Sequence, residues 1–132
     1  MEIKKYSLLE EESLFDLLKR EGKEWHCYWG KESAKNYKRV LQTSVTYVAV
    51  ENDKVCGYIR CREDDGFGVY IFDLLVDKKH RKKGIGKLLM EEVCKDYPMQ
   101  VCYVMSDNDY YYIKQNYKKE GSIFIVTPPK SN

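Results

Sequence analysis

Apolar positions along the chain change period several times, and each change marks an element. A short apolar start at residues 3–6 predicts a strand, and Ser7 with Glu10 three residues on has the form of a capping box. The helix it opens carries Leu14, Leu17 and Leu18 on one face and ends at Gly22. Glu24-Trp25-His26-Cys27-Tyr28-Trp29-Gly30 is aromatic without clean periodicity, either a packed corner or a substrate rim, and Ala34, Tyr37, Val40 and Leu41 then return to helical spacing. From Val45 the period becomes that of a strand. Residues 46–50 and 55–61 flank Asn52-Asp53 and read as a hairpin. Residues 67–76 are nearly all apolar, which predicts a central strand buried on both faces. Residues 84–96 put Ile85, Leu88, Leu89 and Val93 on one helical face, and Pro98 stops the chain from continuing it. A strand at 101–105, a short helix at 107–115 and a final strand at 121–127 complete the order β-α-α-β-β-β-α-β-α-β. That order predicts an α/β layer built on one mixed sheet.

Composition narrows this picture. The 132 residues, 43% hydrophobic with twelve tyrosines, suit one domain spanning 1–132 with one real core. Five cysteines, an odd number without a CxxC pair, argue against a disulfide framework and a structural zinc site. Cys56, Cys61, Cys94 and Cys102 lie in apolar patterns and read as core residues. A reducing, cytoplasmic setting is expected. No stretch approaches the roughly 18 apolar residues of a membrane span, and the N-terminus lacks the apolar centre of a signal peptide. The formal charge of +2 implies nothing about acidic partners by itself, so the placement of the charges matters.

Charge concentrates where the buried strand 70–76 runs into a basic turn. Lys78, Lys79, Arg81, Lys82, Lys83 and Lys87 crowd the start of the helix that Gly84 and Gly86 open. A helix N-terminus leaves about four N–H groups unpaired and carries partial positive charge, so cations are unfavourable there unless a multiply charged anion binds. The glycines would let that anion approach the backbone. The bland alternative is a solubilising basic loop with glycines that serve helix packing. The strand before the turn favours the anion site.

Arg81-Lys82-Lys83-Gly84-Ile85-Gly86 resembles the (Arg/Gln)-x-x-Gly-x-(Gly/Ala) turn of the GCN5-related N-acetyltransferases, the GNAT superfamily. Asp73-Leu74-Leu75-Val76 resembles that family's preceding strand, and Tyr112-Ile113-Lys114-Gln115-Asn116-Tyr117 its Tyr-x-Lys-x-Gly-aromatic element. The resemblance covers nearly the whole chain. It implies a single-domain GNAT-like fold with a mixed sheet of six or seven strands and about four helices. Acetyl-CoA is the implied co-substrate, its pyrophosphate on the backbone of Lys82, Lys83, Gly84, Ile85, Gly86 and Lys87, with Arg81 shaping the turn. Its pantetheine arm would pair with Leu75 and Val76 and be held by Asn108, with Lys114 in the same set. No metal is implied.

The resemblance assigns Tyr112 as the acid that protonates the departing thiolate, although Tyr110, Tyr111 and Tyr112 are consecutive. Asn116 stands where a glycine is frequent, and Asn tolerates the same left-handed backbone. The general base is left open. Phe72 occupies the position of a frequent glutamate, Asp73 is the nearest carboxylate with a structural role equally open to it, and His26 or a water chain are alternatives. The expected activity is acetyl transfer to a primary amine of a small molecule or peptide. The rival reading is an acyl-CoA sensor or partner-binding module without turnover, for which Phe72 is the best argument. A nucleic-acid-binding role is disfavoured because the basic run is short. Glu63, Asp64 and Asp65 could attract a cationic amine or simply form a solvated turn, and a homodimer is left open.

Overall fold

The computed structural model describes residues 1–130. Five strands form one sheet in the order β1-β2-β3-β4-β5: β1 (Glu2–Lys5), β2 (Val45–Glu51), β3 (Lys54–Glu63), β4 (Val69–Val76) and β5 (Cys102–Val104). The first three junctions are antiparallel and β4 pairs β5 in parallel. Between β1 and β2 come helices α1 (Glu11–Glu21), α2 (His26–Trp29) and α3 (Ala34–Thr43); α4 (Ile85–Asp96) links β4 to β5, and α5 (Asp109–Lys114) follows β5.

Local chemistry explains the boundaries. Ser7 and Glu10 form the reciprocal capping box, which closes a 3₁₀ turn immediately before α1. Asn52 and Asp53 both take positive φ (53° and 62°), as a tight hairpin between right-twisted strands requires. The sheet separates two apolar layers. On one face Tyr47, Ile59, Cys61, Val69 and Ile71 pack on Ile85, Leu89, Met90 and Val93 of α4. On the other, Val48, Val55, Tyr58 and Leu75 meet Leu14, Leu17 and Leu18 of α1 and Tyr37 and Leu41 of α3.

Three expectations need correction. The sheet has five strands among the described residues, not six or seven, because 121–127 does not form a strand. Ile123, Phe124, Ile125 and Val126 are 62–91% exposed. An apolar run without alternation suits a strand covered on both faces, and here the side chains stand uncovered. Second, β4 is buried on alternate positions only: Tyr70 and Phe72 are exposed because the α1–α3 layer covers Asp73 and Leu75 but stops short of this end of the sheet. Third, Cys94 is exposed rather than core, and Leu88 lies at the rim of α4 while Met90 takes the buried place.

Candidate active site

One extra residue in β4 builds the site. Asp73 stands opposite Arg60 but Ile71 opposite Cys61, so Phe72 is a β-bulge. The bulge reverses which backbone groups face outward. Before it, Val69 N–H donates to the carbonyl of Val101, the residue just before β5. After it, alternation turns Leu74 and Val76 toward the β5 side, and the Val76 carbonyl there accepts from Arg81 Nε at 2.9 Å. The β4–β5 ladder ends at Ile71 and Val104. From Phe72 onward the strands part, leaving an open β4 edge. Of the two expected arm-binding residues, Val76 presents its backbone to this gap. The backbone of Leu75 faces β3, and Leu74, which the sequence did not single out, takes its place.

The gap leads to the basic turn. Lys82 (φ 65°) and Gly84 (φ 80°) are both left-handed, a backbone that curls N–H groups toward one concave face. Among the described residues, no backbone N–H from Gly84 to Lys87 makes a hydrogen bond. Gly84 is the N-cap of α4 without a side-chain cap, so the first-turn donors are free for an anion. Arg81 does not point at that anion. Its guanidinium grips both oxygens of Glu21 at 2.7 and 2.9 Å while Nε holds the Val76 carbonyl, so it braces the turn against α1 and β4. Lys78, Lys79, Lys82, Lys83 and Lys87 are exposed and in no ion pair among the described residues.

Helix α5 brings the tyrosines in. A Cβ on Gly86 would run into the Tyr111 hydroxyl, so Tyr111, which sequence reasoning left undecided, reaches the first turn of α4. Tyr112 packs against the α4-side core. It also lines, with Ile71, Phe72, Val104 and Met105, a cleft of about 860 Å³ at the end of β5 where the strands part. Its phenol is pushed up to about 12 by burial, then by Asp107 and Tyr111. Tyr110 is 71% exposed and faces neither. Asn108 precedes α5, exposed, with its carbonyl accepting from Tyr111 N–H. Lys114 is exposed at the far end of that helix. Asn116 takes the left-handed backbone expected of it, φ 67°.

Asp73 lies on the opposite face of β4 from Ile71. It is 4% exposed, and its Oδ2 accepts from Arg60 Nε at 2.5 Å and from Tyr37 Oη at 2.6 Å, with Tyr58 Oη 2.7 Å from Tyr37 Oη. Arg60 covers the Phe72 ring at 5.3 Å. Burial and then the Asp73 charge raise Tyr37, and the Tyr28 phenol is pushed up to about 12 by burial and then by Asp73. This network was not legible in the sequence, since Tyr37 and Arg60 read there as ordinary helix and strand positions. His26 is exposed and packs edge-on against Trp29. Glu63 is committed to its turn, where Gly66 N–H and Gln100 Nε2 donate to it and hold its carboxyl below its usual range.

The model of the acetyltransferase (GNAT) family matches residues 11–119. An acetyltransferase of that family from Streptococcus pneumoniae superposes with a TM-score of 0.69 at 26% identity, over 96% of this chain and 98% of that one. An aminoglycoside acetyltransferase from an uncultured soil metagenomic sample gives 0.74 at 23% identity, over 97% and 98%. An aminoglycoside 6'-N-acetyltransferase complexed with coenzyme A gives 0.65 at 21% identity, over 88% and 73%. No curated protein matches the chain. A parted β4–β5 pair, a bulge at the point of parting and an unpaired N–H turn at the mouth of the gap accompany a match over most of the sequence, and the chain belongs to the GNAT acetyltransferase family.

Proposed function

We propose that the protein transfers an acetyl group from acetyl-CoA to a primary amine by direct attack. The observation that carries this reading is the open β4 edge from Phe72 to Val76 ending at a turn whose N–H groups have no partner. The pyrophosphate lies on the backbone of Lys82 to Lys87, and the surrounding lysines screen its charge. The pantetheine arm completes the β4 edge by pairing with Leu74 and Val76, as an added strand would. A backbone N–H near the bulge holds the carbonyl oxygen as it gains charge.

Tyr112 is the proposed acid. A phenol held at about 12 stays protonated at neutral pH and gives its proton to the thiolate as the carbon–sulfur bond breaks. Asp73 is proposed as a positioning residue, because Arg60 and Tyr37 both hold its Oδ2 and thereby pin the residue next to the bulge. Deprotonation of the amine then falls to a water chain. An alkyl ammonium of pKa ~10.4 is neutral in about one molecule in 2,500 at pH 7, a cost of roughly 4 to 5 kcal/mol that the site must offset.

Three observations support a second reading, an acyl-CoA-binding module without turnover: Phe72 occupies the bulge, Asp73 is engaged, and His26 packs edge-on against Trp29. Thiol release from acetyl-CoA against a panel of amines decides between them. Aminoglycosides join small diamines and peptide amines in the panel because two of the structural neighbours are named for them. Stoichiometric CoA binding with no thiol release above background from any amine would leave the module reading standing.

A further inference from the structure

Cys94, read from its apolar surroundings in sequence as a core residue, lies exposed in the last turn of α4. It follows Met90 by one helical turn, and the strip they share faces β5, since both line the 860 Å³ cleft together with Cys102 and Val104 of that strand. Cys102 is half-buried and packs against the core cluster that holds Met90 and Val93. Its thiol lies within hydrogen-bonding reach of the Cys94 sulfur. Helix α4 and strand β5 thus bring two free thiols together at the wall of an open cleft.

The two thiols differ in what they can do. Cys94 is open to solvent and to a small oxidant that enters the cleft. Burial and then Cys94 itself push the Cys102 thiol up to about 12, so Cys102 keeps its proton beside its neighbour. Cys61, the third sulfur of this region, is wholly buried, and burial above all pushes it up to about 12. An accessible thiol with a protonated thiol in reach is the arrangement of a sensing cysteine and its resolving partner. We propose that Cys94 and Cys102 are a modification site, oxidised by peroxide to a reversible disulfide that ties α4 to β5 at the wall of the cleft.

The thiolate of Cys94 attacks the peroxide: a sulfur–oxygen bond forms, the oxygen–oxygen bond breaks, and the hydroxide that leaves takes up the proton that Cys94 lost, giving water. The Cys102 sulfur then attacks the sulfenic sulfur. The disulfide forms, the sulfur–oxygen bond breaks, and the departing hydroxide carries off the Cys102 proton as a second water. Two electrons pass from the thiols to the peroxide, and a reduced thiol such as glutathione or dithiothreitol returns them by exchange. Forming the bond brings the sulfurs closer than a hydrogen bond does, which draws the end of α4 toward β5. Because Phe72 and Tyr112 border the same cleft, oxidation is expected to lower turnover, a consequence that rests on the proposed function whereas the disulfide does not.

The test treats the reduced chain with equimolar hydrogen peroxide and reads its intact mass and its disulfide-linked peptides. Cys27→Ser is the control, because Cys27 is exposed but lies in α2, on the other face of the sheet. The parent and Cys27→Ser are each expected to lose two hydrogens, to link Cys94 to Cys102, and to regain both hydrogens with dithiothreitol. Cys102→Ser is expected to stop at a sulfenic acid on Cys94, captured by dimedone, and Cys94→Ser to form no internal link. No link in the parent, a link from Cys61 to either residue, or a link that survives Cys94→Ser overturns the proposal. If Cys102→Ser fails to fold, Cys94→Ser decides, since its position is exposed. Acetyl-CoA turnover is expected to fall severalfold on oxidation of the parent, to recover on reduction, and to ignore peroxide in Cys94→Ser. A linked parent with unchanged turnover overturns the control of the site, whereas a chain inactive before oxidation counts against the proposed function and leaves the disulfide to be judged by mass alone.

Discussion

Replacing Asp73 by Asn removes the charge on which the buried network converges. The carboxylate is 4% exposed and the Arg60 side chain 12%, so the guanidinium left behind has little solvent to turn to. Breaking one partner of such a pair costs about 3–5 kcal/mol, a large share of the roughly 5–15 kcal/mol that holds a domain together. Tyr37 also loses an ionised acceptor at 2.6 Å, so Tyr37→Phe alone is expected to cost about 1.5–3 kcal/mol. Urea unfolding followed by the fluorescence of Trp25 and Trp29 measures both. The double variant Arg60→Met with Asp73→Leu, which leaves no charge to strand, is expected to recover most of the loss. An Asp73→Asn loss under about 1 kcal/mol, or a double variant as costly as the two single changes added, would refute the account of this network. Below its melting range Asp73→Asn is expected to keep the shape of the parent's pH–rate profile, since a positioning residue takes no proton in the reaction. A pH limb that disappears in the variant would return the base role to Asp73.

Tyr112→Phe is expected to lower kcat by about 10²-fold or more with little change in acetyl-CoA affinity, whereas Tyr110→Phe leaves both intact; a larger loss of kcat in either neighbour moves the acid role there. Gly86→Val is expected to abolish CoA binding, read by loss of ligand-induced thermal stabilisation, because its side chain meets the Tyr111 hydroxyl and covers the first turn of α4; parent-like affinity would remove the phosphate site from this turn. Gly84→Ala meets no atom within 4 Å but must hold φ 80°, so it is expected to cost about 1–2 kcal/mol, seen as a lower melting temperature. Stability is expected to fall between pH 10 and about 12: Tyr6, Tyr28 and Tyr112 are pushed up to about 12 while the unfolded phenols titrate near 10, so the unfolded state loses protons first, and a flat melting temperature across that window would contradict it.

Periodicity carried most of the fold because burial here follows one face per element. The capping box at Ser7, the hairpin turn at Asn52-Asp53 and the helix from Ile85 all write their geometry in local chemistry. The uncapped turn at the start of α4 was legible for the same reason, because glycines and lysines crowd that helix start. The bulge at Phe72 was not, because one extra residue in an apolar strand leaves no mark on composition, and it turns the backbone of Leu74 rather than Leu75 toward the gap. The assignment among Tyr110, Tyr111 and Tyr112 depended on how α5 sits against α4, a tertiary contact. The run at 121–127 carried a clear strand signal, but whether a strand forms depends on a neighbour that the sequence of one segment does not describe.

The bracing of Arg81 has a kinetic consequence. Because its guanidinium is tied to Glu21 and Val76 before any ligand arrives, the turn needs no reshaping on encounter, and the five unpaired lysines around it are left to act at a distance. On the proposed function, association and retention of the anionic cofactor are expected to divide between different groups. The lysine field is expected to govern how fast the cofactor arrives, at a rate that falls steeply as ionic strength rises. The fixed N–H groups are expected to govern how long it stays, with a dwell time that changes little with salt.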